Sequence, residues 1–201
     1  MNPDQNQYPI DYLNQIAPAP QKAGPSRKVF VILVGLGVLV FIVVSLLIFS
    51  SLSAGPTTDM QRLAARLATL KSIATAAQPT IKSSQLRSTN SSLTSSLSNA
   101  NHTIVTPLAS AGIDTAKLDK AIVAAESGDA ITAKLENDRL NGIYDDAYAR
   151  EMTYQLSSTI SLMDKIYTSS SNQQVKDFMQ ATDKNFEPIK KQFEDFKPSD
   201  S

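Results

Sequence analysis

Hydrophobic positions along the chain fall into three regimes. Residues 1–28 show no sustained period. From Val29 to Phe49, 18 of 21 residues are Val, Ile, Leu or Phe, with Gly35, Gly37 and Ser45 the exceptions. Beyond residue 56 the apolar residues recur three and four apart, the spacing that lines one face of a helix. Met60, Leu63, Ala64, Leu67, Leu70 and Ala74 form the first such stripe, started by Thr57, Thr58 and Asp59. Pro79 disfavours helix for the residue before it and suits the first turn of a new one. These signals predict helices over about 57–77 and 80–110, the second carrying Ile81, Leu86, Leu93, Leu97, Ile104 and Leu108.

The second stripe runs through a stretch in which ten of the sixteen residues from Ser83 to Ser98 are Ser or Thr. A mucin-like stalk and a helix with a polar outer face are the competing readings. A stalk expects Pro and no apolar period; here the period persists and Pro is absent from 80 to 106, which favours helix. Pro107 and Gly112 then mark a kink and an end. A short helix at 115–127 carries Leu118, Ile122 and Ala125 and closes at Gly128, with Asp129 suited to cap the next. That next helix, 130–168, bears Met152, Leu156, Ile160, Met163 and Tyr167, with Gly142 its weak point. The last, 172–196, follows a polar turn with Asn172 as cap. Val175, Phe178, Thr182, Phe186, Ile189, Phe193 and Phe196 give it nearly a strict heptad, and Pro188 predicts a kink. Four long helices with narrow stripes and short connections predict an all-α up-down four-helix bundle over 53–201.

The run at 29–52 is long enough to span a hydrocarbon core of about 30 Å. Its side chains favour insertion by roughly 5–10 kcal/mol, with no charge opposing. Lys22, Arg27 and Lys28 precede the run and Ser50–Thr58 holds no cation, so the positive-inside rule puts the N-terminus in the cytoplasm and the bundle outside. A cleaved signal peptide would have an apolar region of about 7–15 residues. The longer run favours a permanent single-pass anchor in the lipid bilayer. Gly35 and Gly37 lack the four-residue spacing that packs membrane helices together.

Residues 1–28 contain five of the ten prolines and are predicted to be a disordered cytoplasmic tail. Within it Tyr8, Tyr12, Leu13 and Ile16 form a candidate docking motif for a cytoplasmic partner, against the alternative of incidental hydrophobicity. This segment resembles N-terminal tails on small membrane proteins of reduced-genome, host-associated bacteria.

Composition then narrows the chemistry. There is no cysteine, which removes disulfides, thiol catalysis and thiolate metal sites. Residues after 52 hold 16 basic and 17 acidic side chains, a balance that gives no electrostatic footprint for nucleic acid. The i+3 partners of Glu136, Glu151, Glu187 and Glu194 are Arg139, Tyr154, Lys190 and Lys197, so no Glu-x-x-His pair exists to build a di-metal centre. The sole histidine, His102, lies among Ser and Asn and reads as a surface residue. Asp145 and Asp146 are helix neighbours that do not face each other, and read as a solvated face. Asn90-Ser91-Ser92 and Asn101-His102-Thr103 fit the glycosylation sequon, a triplet that arises readily in such a stretch. Tyr144, Tyr148, Tyr154 and Tyr167 read as core and boundary packing, with an aromatic-lined groove the alternative. No catalytic residue, cofactor or metal is expected.

Tyr144-Asp145-Asp146-Ala147-Tyr148, with Val175, Phe178-Met179, Thr182 and Pro188-Ile189 in the last helix, resembles the ferritin-like helical bundles of secreted bacterial proteins of unknown function. That family carries a His two turns after the aromatic pair, near Leu156 here, and another near Gln192 or Phe193. The resemblance implies the fold and carries over no functional residue. Together these readings predict a non-enzymatic envelope protein whose bundle binds a protein or cell-wall partner. The alternative is a sensor-like ectodomain taking a small ligand into the bundle core.

Overall fold

The computed structural model describes residues 55–197, within the second of the chain's two units, Ala54–Ser201. The tail at 1–28 with Tyr8, Tyr12, Leu13 and Ile16, and the apolar run at 29–52, lie outside the described residues. Among the described residues no helix is long and apolar enough to cross a membrane. All their regular structure is helical. Four long helices carry the fold: α1 (Pro56–Ala77), α2 (Ser84–Thr103), α6 (Tyr144–Ser169) and α7 (Gln173–Glu194). Between α2 and α6 come α3 (Val105–Ser110), a 3-10 turn (Thr115–Lys117), α4 (Lys120–Ala125) and α5 (Asp129–Leu140).

Side-chain pairs fix the directions of the long helices. Asn90 Nδ2 donates to Ala74 O, and Asn101 Nδ2 to Leu67 O, so α1 and α2 are antiparallel. Arg66 reaches Ser158 and Asp59 pairs with Lys165, so α1 and α6 are antiparallel too. Thr89 donates to Gln192, and Asn172 to Ser110, which sets α7 antiparallel to α2. Tyr148 meets Phe193, and the Ser170–Asn172 turn joins α6 to α7, antiparallel again. Each long helix therefore runs opposite to its two packing neighbours, and α2 and α6 are parallel across a diagonal.

That arrangement corrects the expected up-down succession with short connections. The chain order is up, down, down, up, and residues 104–143 cross back along the bundle between α2 and α6. The physical cause sits at the breaks. The expected helix at 130–168 is two helices, because Gly142 adopts φ +76, a left-handed conformation that costs glycine little and ends α5. The expected helix at 80–110 starts at Ser84 and ends at Thr103. Residues Gln78–Thr80 form a turn in which Pro79 starts no helix, and Ser83 caps α2 by accepting from Leu86 N. The expected short helix at 115–127 is interrupted at Leu118 and Asp119, and the Asp119 side chain caps α4 through Ala121 N. Asp129 is the first residue of α5, following Gly128 as N-cap, and makes no side-chain cap bond.

The stripes pack as their spacing requires, except that the α6 stripe ends on buried Ile166 in place of the expected Tyr167. All seven expected heptad positions, from Val175 to Phe196, are buried, the last just beyond the end of α7, which runs unbroken through Pro188. Asn172 caps it by accepting from Gln174 N and Val175 N. The Ser/Thr-rich stretch forms α2, with Leu86, Leu93 and Leu97 buried and serines outside. α1 buries a wider face than its stripe predicts, adding Asp59, Ala65, Ile73 and Ala77, because α4 packs on its outer side. The tyrosines divide: Tyr148 is fully buried and Tyr144 half-buried, while Tyr154 and Tyr167 are exposed. Lys176 lies over the Tyr167 ring at 5.4 Å.

One buried polar cluster lies inside the apolar core. The Tyr148 hydroxyl donates to Asn90 Oδ1 at 2.5 Å, while Asn90 Nδ2 donates to Ala74 O at 2.9 Å and Gln78 Oε1 at 2.5 Å. Burial, then the nearby Tyr144, pushes the Tyr148 phenol well above its ordinary value and keeps it protonated as a donor. Tyr148→Phe leaves the Asn90 oxygen buried without a partner and should cost about 1–3 kcal/mol in chemical denaturation. Tyr154→Phe at the surface should change little, so equal effects from the two would refute the cluster's role.

On the α6–α7 seam, Asp183 Oδ1 is buried without a hydrogen-bond donor. Its desolvation, then repulsion by Glu187 and Asp164, raises the carboxyl above the usual range. The folded form therefore binds a proton more tightly than the unfolded one, and stability falls as pH rises through that window. Asp183→Asn should raise the midpoint of thermal melting at neutral pH, and this advantage should vanish once the medium is acidic enough to protonate both forms. An advantage constant with pH would assign the effect to something other than charge.

Candidate functional site

Asp145 shows how one end of the bundle is assembled. It stands in the first turn of α6, and its carboxylate accepts from the backbone N–H groups of Lys82 (3.0 Å) and Ser83 (2.7 Å), just before α2. A charge-assisted acceptor on free N–H groups at a helix start is a favourable pairing. It fastens the α1–α2 turn to the α5–α6 elbow. Asp146 instead pairs along its own helix with Arg150. Asp145 is thus half-buried and occupied, which departs from the expected solvated face, while Asp146 stays in an exposed surface pair.

Around this fastening lies a cleft of about 750 Å3 lined by Thr80, Lys82, Ser83, Arg139, Tyr144 and Phe196, among others. Tyr144 stacks on Tyr148 with centroids 5.9 Å apart, continuing the core aromatics to the cleft. Burial, then the Asp145 charge, raises the Tyr144 phenol above its ordinary value, so it too stays neutral. Phe196 and Asp146 also line a second hollow of about 480 Å3 along α6 and α7. Two aliphatic side chains stand out of the core near the elbow: Ile143, 49% exposed, lines the larger cleft, and Leu140, 70% exposed, is the last residue of α5. Ile143 is held there by the elbow, where its own N–H bonds Asp138 O just after the left-handed Gly142.

The charges at the rim are unequal in availability. Arg139 is bonded to Glu136, a pairing that raises the guanidinium and lowers the carboxyl. Lys82 contributes its backbone N–H to Asp145, and its exposed side chain enters no ion pair among the described residues. The arrangement can receive an apolar side chain flanked by an anionic group.

The other residues singled out in the sequence do not converge here. His102 is exposed in the last turn of α2. Both sequon asparagines serve the fold, Asn90 in the core cluster and Asn101 by donating to Leu67 O and Leu97 O. Among the described residues no three His, Cys, Asp or Glu side chains come together as for a metal. The positions where the ferritin-like resemblance would place histidines are Leu156, fully buried, and Gln192 or Phe193. Gln192 accepts from Thr89 and Phe193 meets Tyr148 edge-on. That donor set does not fit the metal centre of such bundles.

No family model matches the chain, and no curated protein or solved structure matches it significantly. Leu140, Ile143 and Lys82 carried no signal in the sequence, because their periodicity placed Leu140 and Ile143 inside one continuous helix. Asp145→Ala should lower stability by about 0.5–2 kcal/mol, the range for losing a capping acceptor, and Asp146→Ala should lower it less. Denaturant titration of both variants checks the order; the reverse order would mean the fastening carries no weight.

Proposed function

We propose that the chain is a single-pass membrane protein whose helical bundle, on the extracytoplasmic side, binds a protein partner through the cleft beside Leu140 and Ile143. The anchor and its orientation rest on the uncharged run at 29–52 and on Lys22, Arg27 and Lys28 before it. The binding role rests on one observation above all: Ile143, a large aliphatic side chain 49% exposed, lines a cleft that reaches Phe196 and Tyr144, with the 70% exposed Leu140 three residues before it. Exposed apolar side chains at a concave surface with a polar rim are the usual makings of an interaction site. They favour a polypeptide over a cell-wall polymer, which would be met by many hydrogen-bonding groups. Lys82 suits an acidic residue on that partner.

The single crossover between the second and third long helices supports the ferritin-like reading, since bundles of that kind have one. The role is non-enzymatic on this reading, with no cofactor. A small ligand in the bundle core has less support, because the buried polar cluster spends the oxygen and both amide hydrogens of Asn90 internally. The tail at 1–28, with Tyr8, Tyr12, Leu13 and Ile16, stands as a separate docking element for a cytoplasmic partner.

A photo-crosslinking residue placed at Ile143 in intact cells should give a discrete protein adduct, reduced by Leu140→Asp, while the same probe at Arg87 on α2 should not. External protease should remove the bundle and leave the tail. Equal crosslinking at both positions would count against the cleft, and a digested tail beside a surviving bundle would reverse the orientation.

A further inference from the structure

The crossover is attached to the bundle differently from any other part. Between Asp114 and Asn141 the one buried residue is Leu135, with Leu118 and Ile131 partly buried against the core. The four long helices, by contrast, each bury six or more residues. Polar contacts add to the crossover's limited apolar burial. Glu126, at the end of α4, is 7% exposed at its side chain and is gripped by two arginines of α1. Arg62 Nε donates to Oε1 at 2.9 Å, and Arg66 donates through Nε to Oε2 at 2.8 Å and through Nη2 to Oε1 at 3.1 Å. Arg66 Nη1 is in turn held by Ser158 of α6 at 2.9 Å. Gln61 accepts from Asp119 N, and Lys134 pairs with Glu151 of α6 at 2.7 Å.

Two further observations bear on how this segment behaves. Its flanks are Gly112 and Gly142, both at φ +76 and the only positive-φ residues among those described. Such positions absorb large backbone rotations, as hinges must. A hollow of about 220 Å3, open to the surface, lies where strap and bundle meet, bordered by Arg66, Leu70, Glu126, Ile131 and Ser158. At Gly128 the fit is tight instead, since a Cβ there would lie 2.8 Å from Ile73 Cδ1. The segment rests on α1 through α4 and on α6 through α5, with Leu135 its one fully buried side chain.

We propose that Asp114–Asn141 is a releasable strap, latched by Glu126 in the Arg62–Arg66 receptor, which opens as a unit while α1, α2, α6 and α7 stay folded. Opening frees two guanidinium groups and uncovers Leu70 and Ile73 on α1, a surface with the makings for an acidic amphipathic segment. The strap occupies that surface with its own carboxylate and its own Leu118 and Ile131. A segment with few buried apolar contacts is the part of a protein expected to unfold at lower free energy than the whole. Breaking a largely desolvated ion cluster by removing one member leaves the remaining charges uncompensated. Opening the strap is a property of the chain alone, so this inference stands or falls apart from the cleft reading.

Native-state hydrogen exchange on the full chain in detergent micelles tests it. Amides of Lys120–Ala125 and Asp129–Leu140 should exchange on the order of a hundredfold faster than the protected amides of α6 and α7, after correction for intrinsic rates. Glu126→Gln should accelerate the strap by a further tenfold or so while α7 is unchanged. Arg62→Gln, which removes the more exposed arginine, should act in the same direction and less. Phe178→Ala, deep between the long helices, should accelerate α6 and α7 and leave the strap's rate where it was. Exchange of strap and long helices at one common rate, or a Glu126→Gln effect spread equally over all helices, would show a single cooperative unit and overturn the proposal. No change in the strap on Glu126→Gln would overturn the latch.

Discussion

The Tyr148 hydroxyl reaches Asn90 across the middle of the bundle, between helices that are not packing neighbours. This bond sets the topology. Asn90 lies near the start of α2 and Tyr148 near the start of α6, so the two helices must begin at the same end. A short connection cannot achieve that, because α2 finishes at the far end, about 30 Å away for its 20 residues at about 1.5 Å each. The chain has to travel back before α6 can start, and residues 104–143 are that return. An unsatisfied amide or phenol in the core would cost about 1–3 kcal/mol, so alternative helix orders that separate Asn90 from Tyr148 are penalised as well as repacked.

The return path has consequences at both faces it touches. Along α1 it brings Glu126 over Arg62 and Arg66, and it explains why Ala65 and Ile73 are buried beyond the primary stripe. At the end of the bundle it delivers the elbow at Gly142, which turns Ile143 outward and aims Asp145 at the α1–α2 turn. The cleft at Ile143 exists because three segments distant in sequence arrive at one place: Thr80–Ser83, Arg139–Asp146 and Phe196. A strap with one fully buried side chain and an ion-pair latch, beside a bundle whose long helices bury six or more residues each, gives one chain two levels of stability.

Polar residues carry most of the specificity in this protein. The apolar stripes would accept several helix orders, since Leu, Ile and Phe pack without direction. Asn90, Asn101, Asp145 and Glu126 each have one set of partners that satisfies them, and together those sets select one arrangement. Three of the four also lie where a sequence motif suggested something else: two sequons and an acidic pair. Their use in the fold leaves the exposed aliphatic side chains as the features with no internal purpose.

The sequence by itself determined which faces of the long helices are buried. Heptad spacing in Val175–Phe196, the stripe from Met60 to Ala74 and the persistence of Leu86, Leu93 and Leu97 through a Ser-rich stretch identified the buried faces of three long helices. Helix periodicity depends on neighbours three and four residues apart, so it is legible without the fold. Gly142 was legible as a weak point, yet whether it ends a helix depends on what the following residues gain by turning away. Tyr148, at the start of the next helix, bonds a partner 58 residues earlier in the chain. The same holds for Glu126 with Arg62 and Arg66, and for Asp145 with Lys82 and Ser83, none closer than 60 residues. Helix faces follow from spacing, but the choice among helix orders, and with it the strap and the cleft, follows from long-range polar pairings that only the tertiary structure brings within 3 Å or so of each other.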